Sequence, residues 1–380
     1  MDGSWTALVA GFHDECYGNG LPHRTPRLPT TRCPLLDDPF ALGHEEVVLR
    51  QDPDSGYRAI VALHSTVLGP AVGGTRVWRY PSPAHALRDA LRLSRGMTYK
   101  NAVAGLALGG GKAVVLLPDG AVDRSALFRA HGRAVHAFGG RFITAEDVGT
   151  TPADLEVAAR ETPYVAGIDG KGGDPSPWTA RGVFVGILAC ARDTGGSDVL
   201  AGRTIAIQGV GSVGAALARA LAPTGARLLL SDLDAARVRA LADEVHATVV
   251  PPQDILSAEA DILAPCAMGA VLDDDSIPRL RAAIVAGAAN NQLGEPRHAE
   301  ALRQRGIVHA PDYVINAGGV ISGSVSLLNE TPARMAQRVD AIADTLTELL
   351  ARARHEGTTP THAADAMAER RLAEARQHAR

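Results

Sequence analysis

Residues 204–221 read TIAIQGVGSVGAALARAL, and Asp232 closes the apolar run ARLLLSD that follows. TIAIQ is a short apolar run of strand length, and SVGAALARAL reads as a helix. Between them Gly209, Gly211 and Gly214 keep a G-x-G-x-x-G spacing. The motif is weak alone, but a strand before it and a helix after it supply the context that gives it meaning. The glycines permit a tight turn and close approach of backbone to a pyrophosphate. The helix start then offers N–H groups to the phosphates. Asp232, eighteen residues beyond Gly214, stands where an acid can accept from ribose hydroxyls and repel a 2′-phosphate. NAD is therefore favoured over NADP, with Arg237 nearby as the one opposing group. The cofactor-binding candidates are Gly209, Gly211, Ser212, Val213, Gly214 and Asp232. A turn that merely packs a helix on a strand leaves the acid unaccounted for.

Further runs continue the rhythm: ATVV, DILAPC, AAIVAGAA and GIVHAP read as strands, and TARGVFVGILACARD reads as a helix ahead of the motif. This alternation predicts a parallel, doubly wound sheet. Upstream, EEVVLRQDPDSGYRAIVALHST reads as a hairpin about Asp-Ser-Gly. AHALRDALRLSRGMTYKNAVAG reads as a helix with Leu87, Leu91 and Met97 inward and Arg and Asp opposite. The strand AVVLL spans 113–117, a helix lies in RSALFRAHGRAVHAF, and RFITAEDVGTTPADL reads as strand, loop and helix. The expected fold class is α/β with two domains. Residues 1–44 form an extension, 45–166 a substrate-binding and catalytic domain, and 167–345 a Rossmann-type dinucleotide domain. Residues 346–380 are helices returning to the first domain.

The 380 residues carry a formal net charge of −4, which argues against a nucleic-acid grip. No apolar run reaches the roughly 18 residues of a membrane span. No secretory signal is read, so the expected compartment is the cytoplasm. Cys16, Cys33, Cys190 and Cys266 lack ligand spacing; the last two lie in apolar runs and read as buried, reduced thiols. No metal site is expected.

The second informative stretch is GLALGGGKAVV, residues 105–115. A phosphate loop would need glycine at 106 and Ser or Thr at 113; the chain has Leu106 and Ala113. Lys112 instead lies between apolar flanks. Most lysines are exposed turn residues, but one at the edge of a core loses its proton more easily and becomes a usable base. Lys100, ending the preceding helix, is a second cation that either suits the helix dipole or faces the same cleft and holds a carboxylate. Asp147, in TAEDVGT after a strand, is a candidate acid; spacing alone does not separate it from Glu146.

The stretches GPAVGGTRVW, GMTYKNAVAGLALGGGKAV, FITAEDVGTT, DPSPWTARGV, GVGSVG, VAGAANNQL and INAGGVI together resemble the amino-acid dehydrogenase family. These are the NAD(P)-dependent enzymes for glutamate, leucine, valine and phenylalanine. The resemblance runs from about residue 45 to the C-terminal helices and implies the following roles. Lys100 pairs with the substrate α-carboxylate, Lys112 is the catalytic lysine, and Asp147 carries protons to and from the amine. Gly73 and Gly74 border the substrate through their backbone, and Thr179 faces the nicotinamide amide. Asn290, or Asn291 beside it, lies between nicotinamide and substrate. The glycines before Lys112 thin the backbone for a substrate. The implied reaction is reversible oxidative deamination of an L-amino acid to the 2-oxo acid and ammonia. The implied assembly is a homo-oligomer.

Glutamate members resemble this chain at GPxKGG, where a lysine reads the side-chain carboxylate; here Val72 stands in that place. A carboxylate side chain would be left unpaired there. TAED, with Ala145, resembles the leucine and valine branch, which is favoured; phenylalanine is the alternative. After INAGGVI the chain departs from the leucine pattern with SGSVSLLNE, in a region that borders the side-chain pocket in the family. A catalytically inactive NAD-binding protein is the reading from another class, against which both lysines and the acid stand.

Overall fold

The computed structural model describes residues 42–118, 120–168, 174–267, 269–325 and 327–378. Cys16, Cys33, most of the expected extension and linker residues 169–173 lie outside the described residues. The chain divides into two compact units. One holds residues 42–168, Val320–Pro332 and the chain from Met367 onward. The other holds Asp174–Gly319 and Ala333–Ala366.

The first unit is built on a mixed sheet. The hairpin β1 (Glu46–Asp52) and β2 (Tyr57–Ser65) turns through Gly56, whose φ of +68° suits glycine. β3 (Ala71–Trp78), helix α1 (Pro83–Val103), β4 (Gly109–Leu116), α2 (Arg124–His136), β5 (Phe142–Glu146) and α3 (Pro152–Ala159) follow. Strand order is β1-β2-β4-β3-β5, with β3 parallel to both β4 and β5, and β2 antiparallel to β1 and β4. Strand alternation sends Ile60, Ala62 and Val114 to the α1 face, where they pack with Ala86, Ala90 and Leu91. The opposite face carries Val115 and Tyr57 against Leu127 and Phe128 of α2 and Leu155 of α3.

Two sequence expectations are corrected here. The strand expected at 113–117 begins four residues earlier, because the glycines pair in register with β2 and β3: Leu63 opposes Gly111 and Val72 opposes Gly110. These glycines answer to crowding by the chain itself. An added Cβ would lie 2.0 Å from the Ser65 carbonyl oxygen at Gly109, 2.0 Å from the Thr98 nitrogen at Gly110 and 2.8 Å from the Phe142 ring at Gly111. The second correction concerns α1. Leu91 is buried as expected, but Leu87 and Met97 are only half-buried, and the buried residues are Ala86, Asp89, Ala90, Leu91, Ser94, Thr98, Tyr99, Asn101, Ala102 and Val103. Where the helix meets the glycine strand, at Thr98 on Gly110, only small side chains fit.

In the second unit α4 (Ser176–Gly195) leads to β6 (Thr204–Gln208), α5 (Ser212–Leu221), β7 (Arg227–Ser231), α6 (Ala235–Val245) and β8 (Thr248–Val249). Then come β9 (Ile262–Pro265), β10 (Ile284–Val285), α7 (Arg297–Gln304) and β11 (Val308–His309). The sheet is parallel throughout, ordered β11-β10-β9-β6-β7-β8, which is the doubly wound order with its switch point beside β6. The chain ends in α8 (Asp312–Ile315), α9 (Gly318–Ser324), α10 (Pro332–Asp340), α11 (Ile342–Glu356) and α12 (Pro360–His378). The expected return to the first unit at residue 346 falls later. α11 packs on α4, where Gly182 and Gly186 make room for Ile342 and Leu346, and the return begins at Met367 within α12. There Arg371 donates to the Ala102 and Val103 carbonyls at the end of α1. Of the two cysteines described, Cys190 is buried as expected and Cys266 is partly exposed.

Candidate active site

Alternation along β3 and β4 puts Val72, Gly74 and Arg76 on the α1 face beside Gly110 and Lys112. Gly74 pairs with Ala145 of β5, and the next turn of chain delivers Asp147. The β3–β4 ladder pairs Val72 with Gly110 and then Thr75 with Ala113. Between these pairs the backbones close to near contact: a Cβ on Gly73 would lie 1.7 Å from the Gly111 carbonyl oxygen. Only glycine fits at that spot.

Lys112 lies within β4, 5% exposed, and its Nζ is 2.5 Å from Asp147 Oδ2. Burial pulls the lysine below its ordinary pKa, which Asp147 opposes and Arg76 reinforces. Burial alone would raise Asp147, but Lys112 and Arg76 outweigh it and hold the carboxylate at about 2. Glu146, its acidic neighbour, is raised by burial and by Asp147. The arrangement places an amine that gives up its proton readily beside a carboxylate that stays ionised. Such a pair can take a proton from an ammonium group and activate water. Val72 is 6% exposed and brings no charge. Lys100 stands in the last turn of α1, half-buried, two residues beyond Thr98, which packs on Gly110.

Arg76 and Asp89 were missed by sequence reasoning. Arg76 Nε donates to Asp147 Oδ2 at 3.1 Å, and its Nη1 donates to Asp89 Oδ2 at 2.8 Å. An acid flanked on its helix by Ala86 and Ala90 was the available signal.

The remaining candidates lie in the second unit. Gly209 has φ +89°, and a Cβ there would meet Ala267 at 2.6 Å. A Cβ on Gly214 would lie 2.0 Å from the Gly209 carbonyl oxygen, so the α5 start rests directly on the turn. At Gly211 nothing lies within 4 Å of that position, and α5 opens at Gly211, Ser212 and Val213 with no side-chain cap. Open space before uncapped helix N–H groups is a cradle that fits a pyrophosphate. Asp232 accepts from the Val210 N–H at 2.7 Å and is 14% exposed, which keeps its carboxylate at the mouth of the turn. The residues present therefore fit a dinucleotide. Thr179 Oγ1 donates to the Pro175 carbonyl and lies against Gly319. Asn290 Oδ1 accepts from Asn316 Nδ2 at 2.8 Å, whereas Asn291 adopts φ +51° and donates its N–H to Asp312.

Residues 44–164 match the family domain described as Glu/Leu/Phe/Val dehydrogenase, dimerisation domain. Residues 230–380 match Glutamate/Leucine/Phenylalanine/Valine dehydrogenase. A leucine dehydrogenase of Geobacillus stearothermophilus is 48% identical over 332 residues, 87% of this chain and 90% of that one. The chain belongs to the Glu/Leu/Phe/Val dehydrogenase family. It is an amino-acid dehydrogenase, of a family that is NAD(P)-dependent. A valine dehydrogenase of Streptomyces coelicolor is 46% identical over 88% of this chain and 93% of that one. The crystal structure of an L-tryptophan dehydrogenase from Nostoc punctiforme matches with a TM-score of 0.82 and 41% identity, over 90% of this chain and all of that one. Among the described residues no helix is long and apolar enough to cross a membrane, and no group of three His, Cys, Asp or Glu could hold a metal.

Proposed function

We propose that the enzyme catalyses NAD-dependent oxidative deamination of an aliphatic L-amino acid, leucine first and valine next, to the 2-oxo acid and ammonia. The observation that carries this reading is the buried Lys112–Asp147 contact at 2.5 Å among glycine-lined strands. Asp147, ionised before substrate arrives, accepts a proton from the substrate α-ammonium, leaving the neutral amine that hydride loss from Cα requires. The nicotinamide, when bound, supplies the hydride acceptor. Lys112, as the free amine, then takes a proton from the water that attacks the imine carbon. Asp147 returns its proton to the carbinolamine amine, which leaves as ammonia while the hydroxyl proton passes to the carboxylate so freed, giving the 2-oxo acid. Lys100 pairs with the α-carboxylate, and Gly73 and Gly74 bring backbone close to the substrate. Asn290, whose amide Asn316 fixes, is the asparagine assigned to substrate, and Thr179 is assigned to the carboxamide.

The choice of amino acid rests on Val72 and Ala145. Neither can pair a side-chain carboxylate, and the leucine and valine enzymes are relatives at 46–48% identity. The tryptophan enzyme supports a second reading, an aromatic substrate. Asp232 supports NAD over NADP, since a 2′-phosphate would meet a carboxylate. A homo-oligomer is supported by the domain's description and by β1, an edge strand with Leu49 75% exposed. The test is NADH formation across a panel of L-amino acids. Leucine, valine and isoleucine should exceed phenylalanine and tryptophan, with glutamate inactive; activity confined to aromatic substrates selects the second reading.

A further inference from the structure

Lys112 and Asp147 are the inner end of a longer chain of charges. Arg76 donates to the same Asp147 Oδ2 that Lys112 approaches, and its other arm holds Asp89. Asp89 is 4% exposed and also accepts from the Tyr80 hydroxyl at 2.6 Å and from Arg92 Nη2 at 3.1 Å. One guanidinium thus spans from helix α1 to the end of β5. Its rigid, planar fork can serve two acids in fixed directions, which a lysine ammonium cannot do. With Lys112 as its only cation, Asp147 would hold the lysine as ammonium. With Arg76 sharing the oxygen, the carboxylate keeps a counter-charge when Lys112 is neutral. An Arg76 without Asp89 would in turn place a poorly compensated charge beside the lysine.

We propose that Arg76 and Asp89 are positioning residues of the reaction centre. Arg76 fixes the Asp147 carboxylate, while Asp89 anchors Arg76 and offsets its charge, so that Lys112 can shed and regain a proton beside an acid that is ionised when substrate arrives. The inference rests on the roles proposed above for Lys112 and Asp147. The two residues act on Lys112 with opposite sign: the Arg76 charge opposes a proton there and the Asp89 charge favours one. Other charged or titratable groups on the surrounding elements are Glu146 on β5, Tyr80 after β3, His85, Arg88, Arg92, Arg95, Tyr99 and Lys100 on α1, and Tyr57, Arg58 and His64 on β2.

The test compares the unaltered full-length enzyme with Arg76→Gln, Asp89→Asn and Arg76→Lys. The first readout is acetic anhydride labelling of Lys112 against pH, followed by peptide mass spectrometry, which needs no turnover. The midpoint should rise by about one pH unit in Arg76→Gln and fall by about one in Asp89→Asn. The second is the acidic limb of kcat/KM with L-leucine and NAD, which should move the same two ways. Arg76→Lys keeps the charge and loses the span. It should leave the midpoint and the leucine KM near native while kcat drops about tenfold or more, and this arm stands if Arg76→Gln does not fold. Midpoints that move together or not at all, or an Arg76→Lys enzyme with native kcat, overturn the proposal. Split midpoints in an enzyme that oxidises no amino acid would uphold the charge chain and sink the proposed function. Turnover without the split does the reverse.

Discussion

Gly74 sits where β3 runs closest to the end of β5, and replacing it with alanine tests how that spacing sets the site. A Cβ there would lie 2.5 Å from the Glu146 carbonyl oxygen and 2.7 Å from Asp147 Cβ, whereas ordinary contact begins near 3.4 Å. The obstacle is backbone, which cannot swing aside like a side-chain tip, so the end of β5 must retreat by about 0.9 Å. Asp147 moves with it, away from Lys112 Nζ at 2.5 Å and Arg76 Nε at 3.1 Å. A misplacement of about 1 Å costs on the order of 100-fold in rate. Gly74→Ala is therefore expected to lower kcat by roughly 30- to 100-fold, and overpacking to cost about 1–3 kcal/mol of stability. Gly96→Ala is the control: it lies within α1 with nothing in reach of a Cβ. There kcat should hold and stability should rise by about 0.5–1 kcal/mol. The assays are initial rates of NADH formation with L-leucine and urea unfolding of the same preparations. Native kcat in Gly74→Ala would refute the reasoning that the glycine gap between β3 and β5 sets the geometry of Asp147.

Asp232→Ala removes the acceptor at the dinucleotide turn. NAD binding should weaken roughly 10- to 100-fold while NADP binding improves relative to it, as read by titration calorimetry; equal losses for both would remove Asp232 from the ribose site. Acid should destabilise the fold well above the carboxylate range. Burial lowers His131 and His309 to about 4, against 6.5 when unfolded. The unfolded chain therefore takes up protons that the native one refuses as pH falls from about 6.5 to 4. Each group costs about 1.4 kcal/mol per pH unit in that window, or about 2 kcal/mol at pH 5 as an upper figure. Urea midpoints at pH 7 and pH 5 measure this, and equal midpoints would contradict it. Asp147→Asn removes the carboxylate proposed to take the substrate's proton; kcat should fall about 100-fold or more, and a fall confined to KM would move Asp147 out of the chemistry.

The dinucleotide unit was legible because each part of it is local. A strand, three glycines, a helix and an acid follow one another within thirty residues, and the doubly wound order follows from their alternation. The first unit was harder. Lys112 and Asp147 stood out as candidates, and the structure bonds them, yet nothing local tied one to the other across 35 residues. Asp89 was assigned to the solvent face of its helix because leucines usually mark the inner one. Leu91 does face inward, but Asp89 is buried beside it, where it meets Arg76 from another element. The crowding around the glycines before Lys112 was hidden for the same reason: their neighbours come from β2, α1 and β5, which are distant in sequence.

The central claim is that Lys112, beside Asp147, drives the oxidation of an apolar amino acid while the dinucleotide is held elsewhere in the chain. The most direct test is Lys112→Ala with L-leucine and NAD. The account predicts NAD binding with native affinity and NADH formation lowered by about 100- to 10,000-fold. A Lys112→Ala enzyme that turns over at the native rate would contradict it.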